Sequence, residues 1–316
     1  MKKKENKNIQ KFIGKLIIIF INAFIYFLFG YKCFFLSCLS SPFIHQESKF
    51  YDDKTSIFSF WEPSTKLPGY LQLCINTWEN KMPNYNIIIL DYSKLHKYLN
   101  SSIISKILCK DMDLPIQADA IRVAILEKYG GIWMDIDTII TKSIFLKNVF
   151  KYDLAFFGYP QYNSPAIGFI YASKNSRIIK EWLINIIKKV SFYKRLHSEE
   201  YNTSNLTNLF KWNYLGNGII NELLKKSKKK EFIIFDWVKT NAIPERNVFQ
   251  TGQLLENYRK FYFYPGDPHK ILYNNSGIIF LHNSWTPKKY KYMSKSEFLK
   301  QNIMLSSLLK EIINKK

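Results

Sequence analysis

Apolar and polar positions alternate along this chain in short blocks. "SIFSFW" at 56–61 and "YNIIILDY" at 85–92 are brief, nearly continuous apolar runs, the pattern of strands buried on both faces. Between them, "EPSTKLPG" at 62–69 reads as a loop, and "YLQLCINTWEN" at 70–80 sets Leu71, Ile75 and Trp78 at helical spacing. Strand, helix and strand joined by short connections predict an α/β domain with a largely parallel sheet. Helices are predicted near 94–109 and near 117–129, the second ended by Gly130 or Gly131 in the left-handed conformation. "IWMDIDTII" at 132–140 follows as a strand. Further strands are predicted at 153–158, 166–173, 231–238, 260–264 and 277–282, with a helix near 175–190. A tail helix carries Leu305, Leu308, Leu309 and Ile312 on one face. The segment 192–212 is polar and without a clear period.

Ahead of this domain lies "LIIIFINAFIYFLFGY" at 16–31, sixteen residues without formal charge. As a helix it reaches about 24 Å, short of the roughly 30 Å core of a bilayer, although Lys15 and Lys32 can snorkel. No small-x-small cleavage site follows it. The expectation is a membrane anchor or membrane-embedded helix over 16–41, with a buried helix of the globular domain as the alternative. The membrane is then a partner. The expected location is membrane-associated, single-pass or peripheral: the cell membrane with a cytoplasmic catalytic face in a bacterium, the Golgi or ER membrane in a eukaryote. The remaining partition is a basic tail at 1–15, a linker at 42–55, the catalytic domain at 56–295 and a basic amphipathic C-terminal helix at 296–316.

Charge narrows the partners only slightly. Lys and Arg number 46 against 25 Asp and Glu, a formal net charge of +21. Such a balance draws anions in general. No basic motif interleaved with aromatics and no finger or RNA-binding signature is present, so nucleic acid is not expected as a partner. Cys33, Cys38, Cys74 and Cys109 have no metal-ligand spacing and are expected as free thiols.

The acids are more informative because they are few. In an extended strand Trp133, Asp135 and Asp137 share one face, with the two carboxylates about 7 Å apart. At the carboxyl end of a strand they can hold a divalent ion and a ribose or sugar hydroxyl, and hard oxygen ligands suit Mg²⁺ or Mn²⁺. Polar side chains at the end of a buried strand are also where α/β proteins place their sites. Asp119 and Arg122, three apart on an otherwise apolar helix, lie in contact range. There the guanidinium can hold a phosphate or a sugar hydroxyl. "IIFLHNSWTP" at 278–287 ends an apolar strand in imidazole, amide, hydroxyl and indole, a poor core and a good pocket rim. His282 or a neighbouring oxygen can complete the metal sphere, and Trp285 can cover the sugar or diphosphate. The alternative for His282 is a satisfied buried histidine.

"ADAIRVAILEKYGGIWMDIDT" at 118–138 resembles the hallmark of glycosyltransferases with a D-x-D sugar-binding region, including capsular polysaccharide synthesis proteins and initiating mannosyltransferase relatives. The stretch 57–91 resembles their opening elements and "LHNSW" at 281–285 their closing one, so the likeness covers most of 56–290. It implies a GT-A-like nucleotide-sugar-binding fold with a mixed, largely parallel central sheet, a UDP- or GDP-linked sugar donor and a divalent metal. By position, Asp137 is implied as the direct metal ligand, with Asp135 touching the metal through water, the ribose or the sugar. Asp119 and Arg122 are implied to grip the donor sugar. Ser284 and Trp285 engage the metal or diphosphate with His282 nearby, and the strand bearing Phe60 and Trp61 flanks the nucleoside. "SIFSFWEP" departs from the "IHQ.WFG"-like residues usual at that strand, which leaves the base contacts open.

The function expected is transfer of a hexosyl group from a nucleotide sugar to a glycan or glycolipid acceptor, in cell-surface or capsular polysaccharide synthesis, and the resemblance implies retention of configuration. Two other classes stay open. One is a metal-dependent hydrolase or nucleotidyltransferase using the same acids, and the other is a non-catalytic glycan-binding or scaffold protein.

Overall fold

The computed structural model describes residues 55–109, 112–198, 213–249 and 252–315. Its main sheet contains β1 (Ser56–Phe60), β2 (Asn86–Leu90), β3 (Gly131–Met134), β5 (Leu154–Tyr159), β6 (Ser164–Ala172) and β7 (Phe232–Asp236), in the order β2-β1-β3-β6-β5-β7. β1 pairs in parallel with both β2 and β3, and β5 pairs in parallel with β7, while β6 runs against both β3 and β5. The sheet is therefore mixed and mostly parallel, with one reversed strand. A separate antiparallel pair joins β4 (Thr138–Ile140) to β8 (Ile278–Phe280).

Strand alternation builds a core on each face of the sheet. Ile57, Ile132, Met134, Ala155 and Phe157 face the helices Gly69–Lys81 and Met304–Asn314, which contribute Leu71, Trp78, Leu305 and Leu308. Phe58, Trp133, Phe156 and Ile170 face the helices Leu114–Tyr129 and Arg177–Ser198, with Ile121, Ile125, Trp182 and Ile186 between them. The C-terminal helix is stitched to the first one by Asn80 Nδ2, which donates to the carbonyl of Ile313 at 2.9 Å.

Several predicted elements change shape. The expected strand 132–140 breaks in two. Asp135 N–H makes a last bond to the Gly168 carbonyl at 2.7 Å, and Thr138 N–H then bonds back to the Asp135 carbonyl at 3.0 Å. The chain turns over these residues and leaves the main sheet for the smaller one. The expected helix 94–109 also divides, into Tyr92–Tyr98 and Ser101–Ile107, because the side chain of Asn100 caps the second helix by accepting from Ile103 N–H at 2.8 Å. The expected strand 260–264 is the end of a helix, Leu254–Tyr262, whose Tyr258 and Tyr262 are buried one turn apart.

The expected membrane anchor is corrected, and with it the membrane as partner and the membrane-associated location. Among the described residues no helix is long and apolar enough to cross a membrane. The 22-residue helix Arg177–Ser198 is long enough, but it carries Arg177, Lys180, Glu181, Lys188, Lys189, Lys194 and Arg195. The apolar run 16–41 itself lies outside the described residues.

Two adjacent glycines reverse the chain between helix Leu114–Tyr129 and β3. Gly130 closes the helix with φ 66° and its N–H on the Leu126 carbonyl, and Gly131 follows at φ 92°. A Cβ on Gly131 would stand 2.7 Å from the Ser56 carbonyl oxygen, so both the backbone angle and the closeness of β1 exclude a side chain. Gly131→Ala is expected to lower stability by about 2–3 kcal/mol, read as a shift in urea midpoint at unchanged slope.

Candidate active site

The reversal at Gly130–Gly131 brings the start of the helix and the end of β3 to one edge of the sheet. Asp119 and Arg122 come from the helix, and Asp135 and Asp137 from the turn after β3. A cleft of about 360 Å³ opens there, lined among others by Phe60, Trp61, Glu62, Asp119, Arg122, Asp135, Asp137, Asn213 and Asn283.

Arg122 is buried with only 6% of its side chain exposed, and its hydrogen bonds explain how that is tolerated. One terminal nitrogen, Nη2, meets Asp119 Oδ1 at 3.3 Å and Asp135 Oδ1 at 3.2 Å. The other, Nη1, donates to the Ile167 carbonyl on β6, and Cζ lies 5.2 Å from the centre of the Trp133 ring. Trp133 Nε1 also donates to Asp135 Oδ1, at 2.9 Å. Most of the guanidinium is thus spent on protein groups, so Arg122 holds the carboxylates in place rather than presenting a free fork to the cleft. Asp119 is nevertheless pushed up to about 6, because burial outweighs the attraction of Arg122 and Asp135 adds repulsion. A Cβ on Gly216 would run into Asp119 Oδ2, so this glycine lets the segment after 212 close over the carboxylate.

Asp137 is anchored from the other side. Its Oδ2 accepts from Asn283 N–H at 2.7 Å, and its carbonyl accepts from Leu281 N–H at 3.1 Å, tying the turn to the exit of β8. Tyr70 donates its hydroxyl to Asn283 Oδ1. Burial, then the charge of Asp135, push Asp137 up to about 7, with the Asn283 amide and the charge of Lys291 acting in the opposite direction. Two carboxylates and an amide therefore converge with more negative charge than the protein compensates.

Of the residues expected at the site, the fold brings Phe60, Trp61, Asp119, Arg122, Asp135 and Asp137 to the cleft. His282, Ser284 and Trp285 are not among its lining residues. The His282 ring packs 4.2 Å from Trp285 and 5.5 Å from Tyr258, its Nε2 is buried without a partner, and burial pushes its pKa down to about 4. Asn283 takes the place expected for its neighbours. "LHNSW" marked the segment, but only the short 3₁₀ turn Asn283–Trp285 decides which of its side chains faces the cleft. Asn213 and Glu62 carried no sequence signal, since each depends on how a loop folds back.

Among the described residues no group of three or more His, Cys, Asp or Glu side chains is arranged to hold a metal ion. Asp137, its ionisation opposed by the neighbouring Asp135 charge, does suit a divalent cation that takes its remaining ligands from phosphate and water, the usual manner for Mg²⁺ at diphosphates.

The mixed, mostly parallel sheet with its flanking helices is consistent with a GT-A-like nucleotide-sugar-binding fold. The chain belongs to the capsular polysaccharide synthesis protein family, whose model matches residues 36–304. It is also similar to glycosyltransferases of known structure. PaToxG glycosyltransferase aligns at 19% identity over 55% of this chain and 68% of that one, with a TM-score of 0.34. The glycosyltransferase GlyE of Streptococcus pneumoniae TIGR4 aligns at 10% identity over 83% of this chain and 61% of that one, with a TM-score of 0.40. Its apo form aligns at 11% identity over 82% and 64%, with a TM-score of 0.35. This chain thus spans less than two thirds of either GlyE chain. No curated protein matches it.

The raised pKa of Asp137 has a consequence for stability. An unfolded aspartate titrates near 4, so the folded state binds this proton more tightly. Its stabilising contribution is complete below about pH 4 and is lost as pH rises through about 7. In EDTA, chemical unfolding is expected to show stability falling between pH 5 and pH 8 by on the order of 2–4 kcal/mol, and Asp137→Asn is expected to flatten that fall.

Proposed function

We propose that this protein is a metal-dependent hexosyltransferase that moves a sugar from a nucleotide-sugar donor to a glycan or glycolipid acceptor in polysaccharide synthesis, with the D-x-D pair Asp135 and Asp137 at its centre. The observation that carries this reading is the convergence of Asp119, Asp135, Asp137 and Asn283 on one cleft beside Phe60 and Trp61. The family to which the chain belongs supports the same pathway class.

In this reading the donor lies across the carboxyl edge of the sheet. Trp61 and Phe60 supply ring surface for the base. Asp119, held by Arg122, accepts hydrogen bonds from sugar hydroxyls and fixes the orientation of the anomeric carbon. Asp135, Asp137 and Asn283 would hold a divalent cation, which when bound offsets the negative charge of the diphosphate. The acceptor oxygen forms its bond to the anomeric carbon as the bond from that carbon to the diphosphate oxygen breaks. The electron pair leaves with the nucleoside diphosphate, and the hydroxyl proton passes to a diphosphate oxygen on the same face, which retains configuration. Arg122 adds fixed positive potential behind Asp135 and touches no reacting atom.

Incubation with a panel of UDP- and GDP-sugars and Mn²⁺, with and without glycan acceptors, tests the reaction. Glycoside formation from one donor is expected. Sugar consumed only by cleavage within the diphosphate would rule the transferase out. Asp137→Ala is expected to lower transfer by at least about a hundredfold while the far-ultraviolet circular dichroism is unchanged. Metal-dependent transfer surviving that substitution would remove Asp137 from the site.

A further inference from the structure

β5 and β7 run parallel to β3, so their carboxyl ends reach the same edge of the sheet as Asp135. The residues at those ends are aromatic. Tyr159 closes β5, and Trp237 follows β7 directly, held by its N–H on the Gly158 carbonyl at 3.1 Å. The two rings meet edge to face at 5.3 Å. Beyond Tyr159 the chain makes a tight hairpin through Asn163, at φ 47°, and this hairpin lifts Tyr162 into solvent, 75% exposed and 6.3 Å from the Tyr159 ring. Arg246, from the helix Pro244–Val248, binds the group together. Its Nη1 donates to the Tyr159 hydroxyl at 2.9 Å, and its Cζ lies 5.9 Å from the Trp237 ring.

This cluster is joined to the cleft through β8. Trp237 packs on Phe280 at 6.3 Å, and three residues later Asn283 donates its N–H to Asp137. The charge of Arg246 is also felt at His282, the neighbour of Asn283. Tyrosine, tryptophan and arginine thus gather over the ends of β5 and β7, at the same edge of the sheet as the acid-lined cleft though not among its lining residues. Trp237 packs against the core, whereas Tyr162 is exposed, and its hairpin neighbours Pro160 and Gln161 are exposed with it.

We propose that Tyr159, Tyr162, Trp237 and Arg246 form the acceptor subsite, a platform on which a sugar ring of the acceptor glycan lies. This rests on the transferase reading of the adjacent cleft. A pyranose has an apolar C–H face and a rim of hydroxyls. An aromatic ring covers the first, and a partly exposed guanidinium donates to the second. The position meets a geometric demand as well. The acceptor must enter the cleft from a side the donor does not fill, and Phe60, Trp61 and Asp119 place the donor on the β1 and helix side.

The test measures glycan binding without donor or metal. Neutral hexose, N-acetylhexosamine and uronic-acid oligosaccharides are titrated in EDTA against the full chain, with tryptophan fluorescence and calorimetry as readouts. At least one class is expected to bind, with affinity falling about tenfold in Tyr162→Ala and retained in Tyr162→Phe and in Tyr273→Ala, an exposed tyrosine outside the cluster. In turnover, Tyr162→Ala is expected to raise the acceptor KM and leave the donor KM unchanged. Absence of binding by every oligosaccharide, or equal binding by the wild type and Tyr162→Ala, overturns the platform. So does a change on Tyr162→Ala confined to self-association in sedimentation. Binding that depends on Tyr162 in a chain that transfers no sugar would overturn the transferase reading alone, and transfer with an unchanged acceptor KM in Tyr162→Ala would overturn the platform alone.

Discussion

The buried guanidinium of Arg122 is the interaction on which this architecture depends. Burying such a charge costs several kcal/mol unless partners replace water. Here they come from three separate segments: Asp119 one turn earlier on the helix, Asp135 after β3, and the Ile167 carbonyl on β6. Each would pay its own desolvation cost without the others. The one position that satisfies all of them fixes the helix against the sheet and places two carboxylates at its edge. Arg122 Nε remains without a partner, which marks the arrangement as built around charge rather than around complete pairing. A lysine, with one point charge and no fork, could not reach the same three groups.

Not all the negative charge gathered there is compensated. Asp119 is buried and Asp137 half-buried, and both are raised well above an ordinary carboxylate. A core selected for stability alone would replace them with apolar groups of similar size. Their retention at the mouth of a cleft is the pattern expected where strain is kept for a ligand that relieves it. The raised pKa of Asp137 and the Asn283 amide that opposes it describe one device: a carboxylate held in a fixed direction by the backbone, in a place where it gains most by meeting positive charge.

Much of the frame was legible from short-range pattern. The buried runs at β1 and β2, the helix over 70–80 and the glycine stop before β3 all appear as expected, because burial on both faces and a left-handed helix end leave marks on neighbouring residues. The break inside "IWMDIDTII" left no such mark. Apolar Ile136, Ile139 and Ile140 fit a continuing strand, and the turn exists because Asp135 finds the Gly168 carbonyl and the next residues find β8, more than a hundred positions away. The helix Leu254–Tyr262 left no such mark for a similar reason. Its aromatic residues favour strands by propensity, and burial of Tyr258 and Tyr262 one turn apart overrides it.

From residue order alone, the chain specified its class of sheet, the edge at which the cleft lies, and the acids and arginine that gather there. Those depend on periodicity, capping and spacing within a few turns, which local physics reads directly. Which atoms meet was settled by long-range packing. Asn283 rather than His282 faces the cleft, Arg122 points inward at its carboxylates, and Tyr159 and Trp237 arrive side by side from strands more than seventy residues apart. Such pairings come from the closing of the sheet and of the β4–β8 ladder, and no window of sequence contains both partners.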